Sequence, residues 1–140
     1  VYRYSDENLT GEEVAEMHVD ASGGGRRVGQ CWVIELIGEH DLSTASMIAE
    51  WMAGIDDSAR LIEIDLREAE FIDSIVVGKL VSLEAALAQA GRELLIVSPA
   101  GSFPRRVLDV VGASLMLQVV DEPPFDVQLP RRREEASSCP

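Results

Sequence analysis

The chain has 140 residues, 46% of them hydrophobic, and a formal net charge of −13 at pH 7. That length suits one domain, and that apolar share suits a packed core rather than a disordered chain. The excess acid argues against nucleic acid, whose binding requires Lys and Arg against phosphates, and against anionic membrane surfaces. No run approaches the roughly 20 apolar residues that span a bilayer. The polar, acidic N-terminus lacks the basic start and apolar stretch of a secretory leader. Cys31 and Cys139 have neither CxxC spacing nor a histidine at ligand spacing, so they suggest no metal and no redox pair. A reducing cytoplasm and a protein without cofactor fit this composition.

In chain order, residues 1–15 read as a polar tail, 16–121 as the folded domain and 122–140 as a second tail. Glu16–Ala21 alternates, with Met17, Val19 and Ala21 on one face, as a half-buried strand does. Ser22-Gly23-Gly24-Gly25-Arg26-Arg27 reads as a turn, and Gln30–Ile37 as the second strand of a hairpin. Gly38–Asp41 reads as a loop. Ser43 or Thr44 can cap a helix running to about Ala53, with Ile48, Met52 and Ile55 inward. Leu61–Leu66 is a strand. Ile75–Ala90 is the clearest helix, its inner face formed by Val76, Leu80, Leu83, Leu87 and Ala90, with Gly91 to end it. Glu93–Ser98 is an apolar strand of the kind buried on both faces. Ser102–Val111 reads as a helix with Phe103, Val107 and Val111 inward, closed by Gly112, and Leu115–Val120 as a short last strand. Strands alternating with helices after a hairpin predict an α/β sandwich, with helices packed against a mostly parallel sheet.

The chemistry concentrates at Phe71-Ile72-Asp73-Ser74, where the strongest helix begins. Asp and Ser cap helices by accepting first-turn N–H groups. A hydroxyl at that position is accessible. A phosphate on it would meet the positive end of the helix dipole and add about −1.5 to −2 charges. The domain should tolerate that charge; a partner packed over the helix start would have to desolvate it beside Asp73. On the outer helix stripe, Ile75 tops Lys79, Ser82, Ala86 and Gln89, an apolar anchor one residue from Ser74. A hydrolytic triad of Ser74, His40 and an aspartate is disfavoured: the G-x-S-x-G nucleophile elbow is absent, and Gly23–Gly25 precedes no helix as a phosphate loop would.

Five segments, in order, resemble the STAS domain, the family of sulfate transporters and anti-sigma factor antagonists. They are Val33–Asp41, which is similar to an apolar strand ending in Gly-Glu-Leu-Asp; Ile62-Glu63-Ile64-Asp65-Leu66; Phe71-Ile72-Asp73-Ser74; Ala90-Gly91-Arg92-Glu93-Leu94; and Val107–Gly112. The resemblance implies a STAS-like sandwich and a binding module, not an enzyme. It implies that Ser74 is the phosphorylated serine and that the partner is an anti-sigma factor with serine kinase activity, with a serine phosphatase reversing the modification. The unphosphorylated domain would bind the anti-sigma factor and release a sigma factor. Asp41 and Asp73 match the acidic residues flanking the site, and Ser43 and Thr44 lie in the loop lining it. With Ile75, Val76 and Lys79 these make the expected partner surface. The chain departs from the family at Ile75-Val76-Val77, where Ser-Gly-Leu is usual, and at His40, where Leu or Ile is usual. The competing expectation is a non-phosphorylated scaffold subunit of a stress-signalling or lipid-transport complex. Glu39, Asp41 and Asp73 crowd negative charge around Ser74, which suits a basic partner surface.

Overall fold

The computed structural model describes residues 21–124. The two expected tails and the alternating strand at residues 16–20 lie outside those residues, apart from Glu122–Pro124 at the start of the second tail. Strand β1 (Ser22–Val28) pairs antiparallel with β2 (Cys31–His40), and the turn between them is Gly29-Gln30, with Gly29 at φ +65°. The glycine run is therefore strand, not the turn expected from its composition. Gly23 and Gly24 adopt φ +149° and +156°, and a Cβ on Gly23 would collide with the Glu35 carbonyl oxygen. Glycine here serves close backbone approach inside a ladder.

A 3-10 turn (Leu42–Thr44) leads into α1 (Ala45–Ala53), then come β3 (Leu61–Asp65), β4 (Ala69–Ile72), α2 (Ser74–Gln89), β5 (Glu93–Val97), α3 (Phe103–Val110), a second 3-10 turn (Ala113–Leu115) and β6 (Val119–Val120). The sheet order is β1-β2-β3-β5-β6, parallel beyond the hairpin. β2 forks: residues 31–35 pair with β3, and residues 38–40 pair with the short β4, with a register shift at Gly38/Glu39. The sequence pattern ends β2 at Ile37 and gives no strand at Ala69–Ile72. The segment Gly38–His40 is strand because it has β4 to pair with.

The core lies between the sheet and the helices. Ile34, Leu36, Ile62, Ile64, Leu94 and Ile96 from the strands meet Ile48, Val76, Leu80, Leu87 and Leu108 from the helices. Met52 and Ile55 pack against this core as expected, and so does Leu83. Ala90 is exposed, since α2 ends at Gln89, and Gly91 comes next at φ +74°. In α3 the expected inner face holds at Val107, which packs against the core, but not at its two ends. Phe103 is 40% and Val111 52% exposed, while Pro104 and Leu108 are buried. The Phe103 ring instead stacks on Phe71, with centroids 5.4 Å apart. The last strand is only Val119–Val120; Leu115, in the preceding 3-10 turn, is 92% exposed. Cys31 is fully buried and disulfide-bonded.

Candidate functional site at the start of helix α2

Two aspartates stand side by side at the carboxyl end of the sheet. His40 and Ile72 are paired at the ends of β2 and β4, and the next residue on each strand is Asp41 or Asp73. Neighbouring strands lie about 4.8 Å apart, so the two acidic residues share one rim. Asp41 caps the first 3-10 turn and Asp73 caps α2. Asp41 Oδ1 accepts from Ser43 N at 2.8 Å and from Ser43 Oγ at 2.6 Å. Asp73 Oδ1 accepts from Val76 N at 3.1 Å, while the Asp73 carbonyl accepts from Val77 N. A side-chain cap of this kind contributes about 1 kcal/mol. With Val76 N and Val77 N satisfied, the amides of Ser74 and Ile75 remain at the open end of the helix.

Ser74 is the first residue of α2 and is exposed. Ile75 is 43% exposed beside it. Val76 is fully buried in the core, so it supports this surface from beneath and is withdrawn as a partner contact. Val77 is buried too, which means the Ile75-Val76-Val77 departure adds only one bulky side chain to the surface. Thr44 is also buried and is likewise withdrawn. Its Oγ1 lies 3.0 Å from His40 Nδ1 and accepts from Asp41 N at 3.3 Å. Ser43 and Asp41 stay at the surface.

His40 is a structural post beneath the rim. Its Nε2 faces two carbonyl oxygens, Ser22 at 2.9 Å and Ile37 at 3.1 Å, which requires Nε2 to be the protonated nitrogen. Burial pushes its pKa below 6.5, against the opposing pull of the two carbonyls and of Asp41. With both ring nitrogens so engaged, His40 is not placed as a base for Ser74, and the Asp73 carboxylate is committed to the Val76 amide.

Two features escaped the sequence. Leu42, next to Asp41, is 69% exposed. A shallow groove of about 580 Å³ runs between α1 and α2, lined by Ala49, Met52, Ile75, Gly78, Lys79, Ser82 and Leu83. Lys79 thus belongs to a groove leading away from Ser74, with Ile75 at its upper end. The signal for Leu42 was an apolar residue directly after a capping Asp, outside any amphipathic series.

The STAS domain profile matches residues 26–122. No curated protein matches the chain by sequence. Among solved structures, the chain is similar to SpoIIAA of Bacillus, an anti-sigma factor antagonist, in its unphosphorylated form (22% identity, TM-score 0.60, covering 80% of this chain and 96% of that one) and its phosphorylated form (19%, 0.57, 80% and 100%). It is similar to TM1081 of Thermotoga maritima (19%, TM-score 0.65, 83% and 99%). An anti-sigma factor antagonist of Mycobacterium paratuberculosis also resembles it (23%, TM-score 0.55, 81% and 94%). These likenesses bear on the fold, whereas the profile spans most of the chain and nearly all of the elements described above: the chain belongs to the STAS domain family.

Proposed function

We propose that this STAS domain is an anti-sigma factor antagonist, a non-enzymatic cytoplasmic binding module whose partner docks over the start of α2 and is released by phosphorylation of Ser74. The observation that carries this reading is the exposed Ser74 hydroxyl at the first position of a helix, directly after the acidic cap Asp73, on the rim that Asp41 shares, and beside exposed Ile75. Added phosphate there is tolerated by the helix dipole but adds repulsion and desolvation cost in a docked complex. The groove between α1 and α2 offers Met52, Ile75 and Leu83 as an apolar track for the partner, with Leu42 as a second exposed apolar group near the rim. The similarity to SpoIIAA, solved in both phosphorylation states, supports the same reading.

The test is incubation with ATP and a kinase-type anti-sigma factor from the same genome, with peptide mass spectrometry and a binding assay as readouts. Phosphate on Ser74 and loss of the complex are expected, with no modification in Ser74→Ala. A partner that binds while Ser74 stays unmodified would leave the constitutive scaffold reading.

A further inference from the structure

Lys79 is the single lysine of the chain, and it stands half-buried in the groove between α1 and α2. Its neighbours along α2, three and four residues away, are Ile75, Val76, Ser82 and Leu83. Across the groove α1 supplies Ala49 and Met52. None of these is acidic. Among the described residues Lys79 makes no ion pair, whereas Arg27, Arg67 and Arg105 each hold an aspartate. In a chain of net charge −13, the groove is thus an apolar track with one cation and no carboxylate in its lining. The aliphatic stem of Lys79 extends the apolar lining, and its ammonium sets the charge that an occupant must carry.

Gly78 lines the same groove. Glycine inside a helix is less stable than alanine. Gly78 has no positive φ, and a Cβ built on it meets nothing within 4 Å, so the fold itself does not call for glycine there. The missing side chain matters on the outside instead: it leaves bare backbone in the groove, where another backbone can come close. The groove runs between two helices and reaches Ile75 beside the rim, so its shape fits a third helix presenting an apolar stripe. Charge gives that helix a direction. The rim at Asp41 and Asp73 is acidic, and Lys79 follows Asp73 by six residues, a rise of about 9 Å along α2.

Given docking over the start of α2 as described above, we propose that the partner lays an amphipathic helix in the α1–α2 groove, with its basic end over the Asp41–Asp73 rim, a carboxylate at Lys79 and a close backbone approach at Gly78. Lys79 and Gly78 then determine which partner fits, a task separate from the switch assigned to Ser74.

The test uses the full chain and the kinase-type anti-sigma factor from the same genome. A carbodiimide joins a carboxylate to an amine in contact with it, and Lys79 carries the only lysine amine of this chain. A cross-link from Lys79 to an Asp or Glu within a helix of the partner is expected, read by peptide mass spectrometry. Acetylation of Lys79 by N-hydroxysuccinimidyl acetate should slow severalfold in the complex. Titration calorimetry should show affinity at least tenfold weaker for Lys79→Glu and for Gly78→Leu, both checked for folding by circular dichroism. If Gly78→Leu misfolds, Lys79→Glu decides alone. Equal or tighter binding by Lys79→Glu, as a wholly basic partner surface would give, overturns the groove helix; if Ser74→Asp still weakens the complex, docking over the helix start stands without it. A complex that lacks the cross-link and leaves Lys79 as reactive as in the free chain overturns it too. No complex with the wild-type chain overturns both readings. Acetylation of Lys79 in the isolated chain that quickens on dilution also overturns the proposal, because a second copy then fills the groove.

Discussion

His40 makes a quantitative test of the rim's foundations. In the folded protein its pKa lies below 6.5 because it is buried, while in the unfolded chain it titrates near 6.5. Between those two values the unfolded chain binds a proton that the folded protein refuses. Stability therefore rises with pH across that window and is lost as pH falls from about 7 toward the folded pKa, with a slope of up to about 1.4 kcal/mol per pH unit. Protonation would place a hydrogen on Nδ1, and the Thr44 hydroxyl would have to turn wholly to the Asp41 carbonyl, 3.2 Å away, to accept it. In His40→Leu the titration disappears, but the Ser22 and Ile37 carbonyls lose their donor, which costs about 1–3 kcal/mol at neutral pH. The assay is urea unfolding monitored by tryptophan fluorescence. Trp51 sits edge-on to His40, with centroids 6.1 Å apart, and reports on the site directly. Wild type should exceed the variant near pH 7.5, and the gap should shrink steadily as pH falls below about 7 toward the lowered folded-state pKa. His18 is present in both proteins and cancels in the difference. A gap that is flat, or that widens as pH falls, would refute the reasoning and mean that Asp41 and the two carbonyls outweigh desolvation.

At Ser74, replacement by Asp should weaken anti-sigma factor binding while leaving the thermal midpoint within a few degrees, because an acidic group suits a helix start; a large fall in the midpoint by calorimetry would mean the hydroxyl is structural. Ile75→Lys should reduce partner affinity by more than about 1 kcal/mol in a titration, with stability nearly unchanged because Ile75 is 43% exposed; equal affinity removes it from the interface. Gly23→Ala should lose more than about 1 kcal/mol in chemical unfolding, since its φ and the Glu35 carbonyl both oppose a Cβ. Gly78→Ala, where a Cβ meets nothing within 4 Å inside α2, should gain up to about 1 kcal/mol; a loss there would show that the groove is tighter than its shape.

The periodic elements were legible because their burial is one-sided. Val76, Leu80 and Leu87 repeat at helical spacing, and all three are buried. Leu94–Val97, with no alternation, is buried on both faces as a central strand must be. Failures came where local chemistry has two readings. Three glycines signal a turn unless a neighbouring strand needs close approach, and only pairing with Glu35 and its neighbours decides that. β4 has four residues, too few for a pattern, and exists because β2 runs beyond β3 and offers it an edge. The face of α3 was misread at its start because Phe103 is apolar for a contact with Phe71 at the rim, not for the core.

At the candidate site, residue types were readable but depth was not. Asp73, Ser74 and Ile75 occupy the cap and first two positions of one helix, so their order along the chain already states their order around its end. Val76 is one further step of about 100°, and that step takes it from the rim into the core. Thr44 presents the same problem: a hydroxyl in a polar loop reads as surface until a buried histidine claims it. That histidine is the departure at position 40, and its placement explains how the departure is accommodated. An aliphatic residue there would leave the Ser22 and Ile37 carbonyls and Thr44 Oγ1 without His40, whereas His40 ties β1, β2 and the turn before α1 together directly under Asp41. The rim can therefore stay acidic and exposed above a foundation that is neutral at physiological pH. On the proposed reading, a phosphate added at Ser74 would change the charge met by a partner without disturbing the buried network that holds the rim in place.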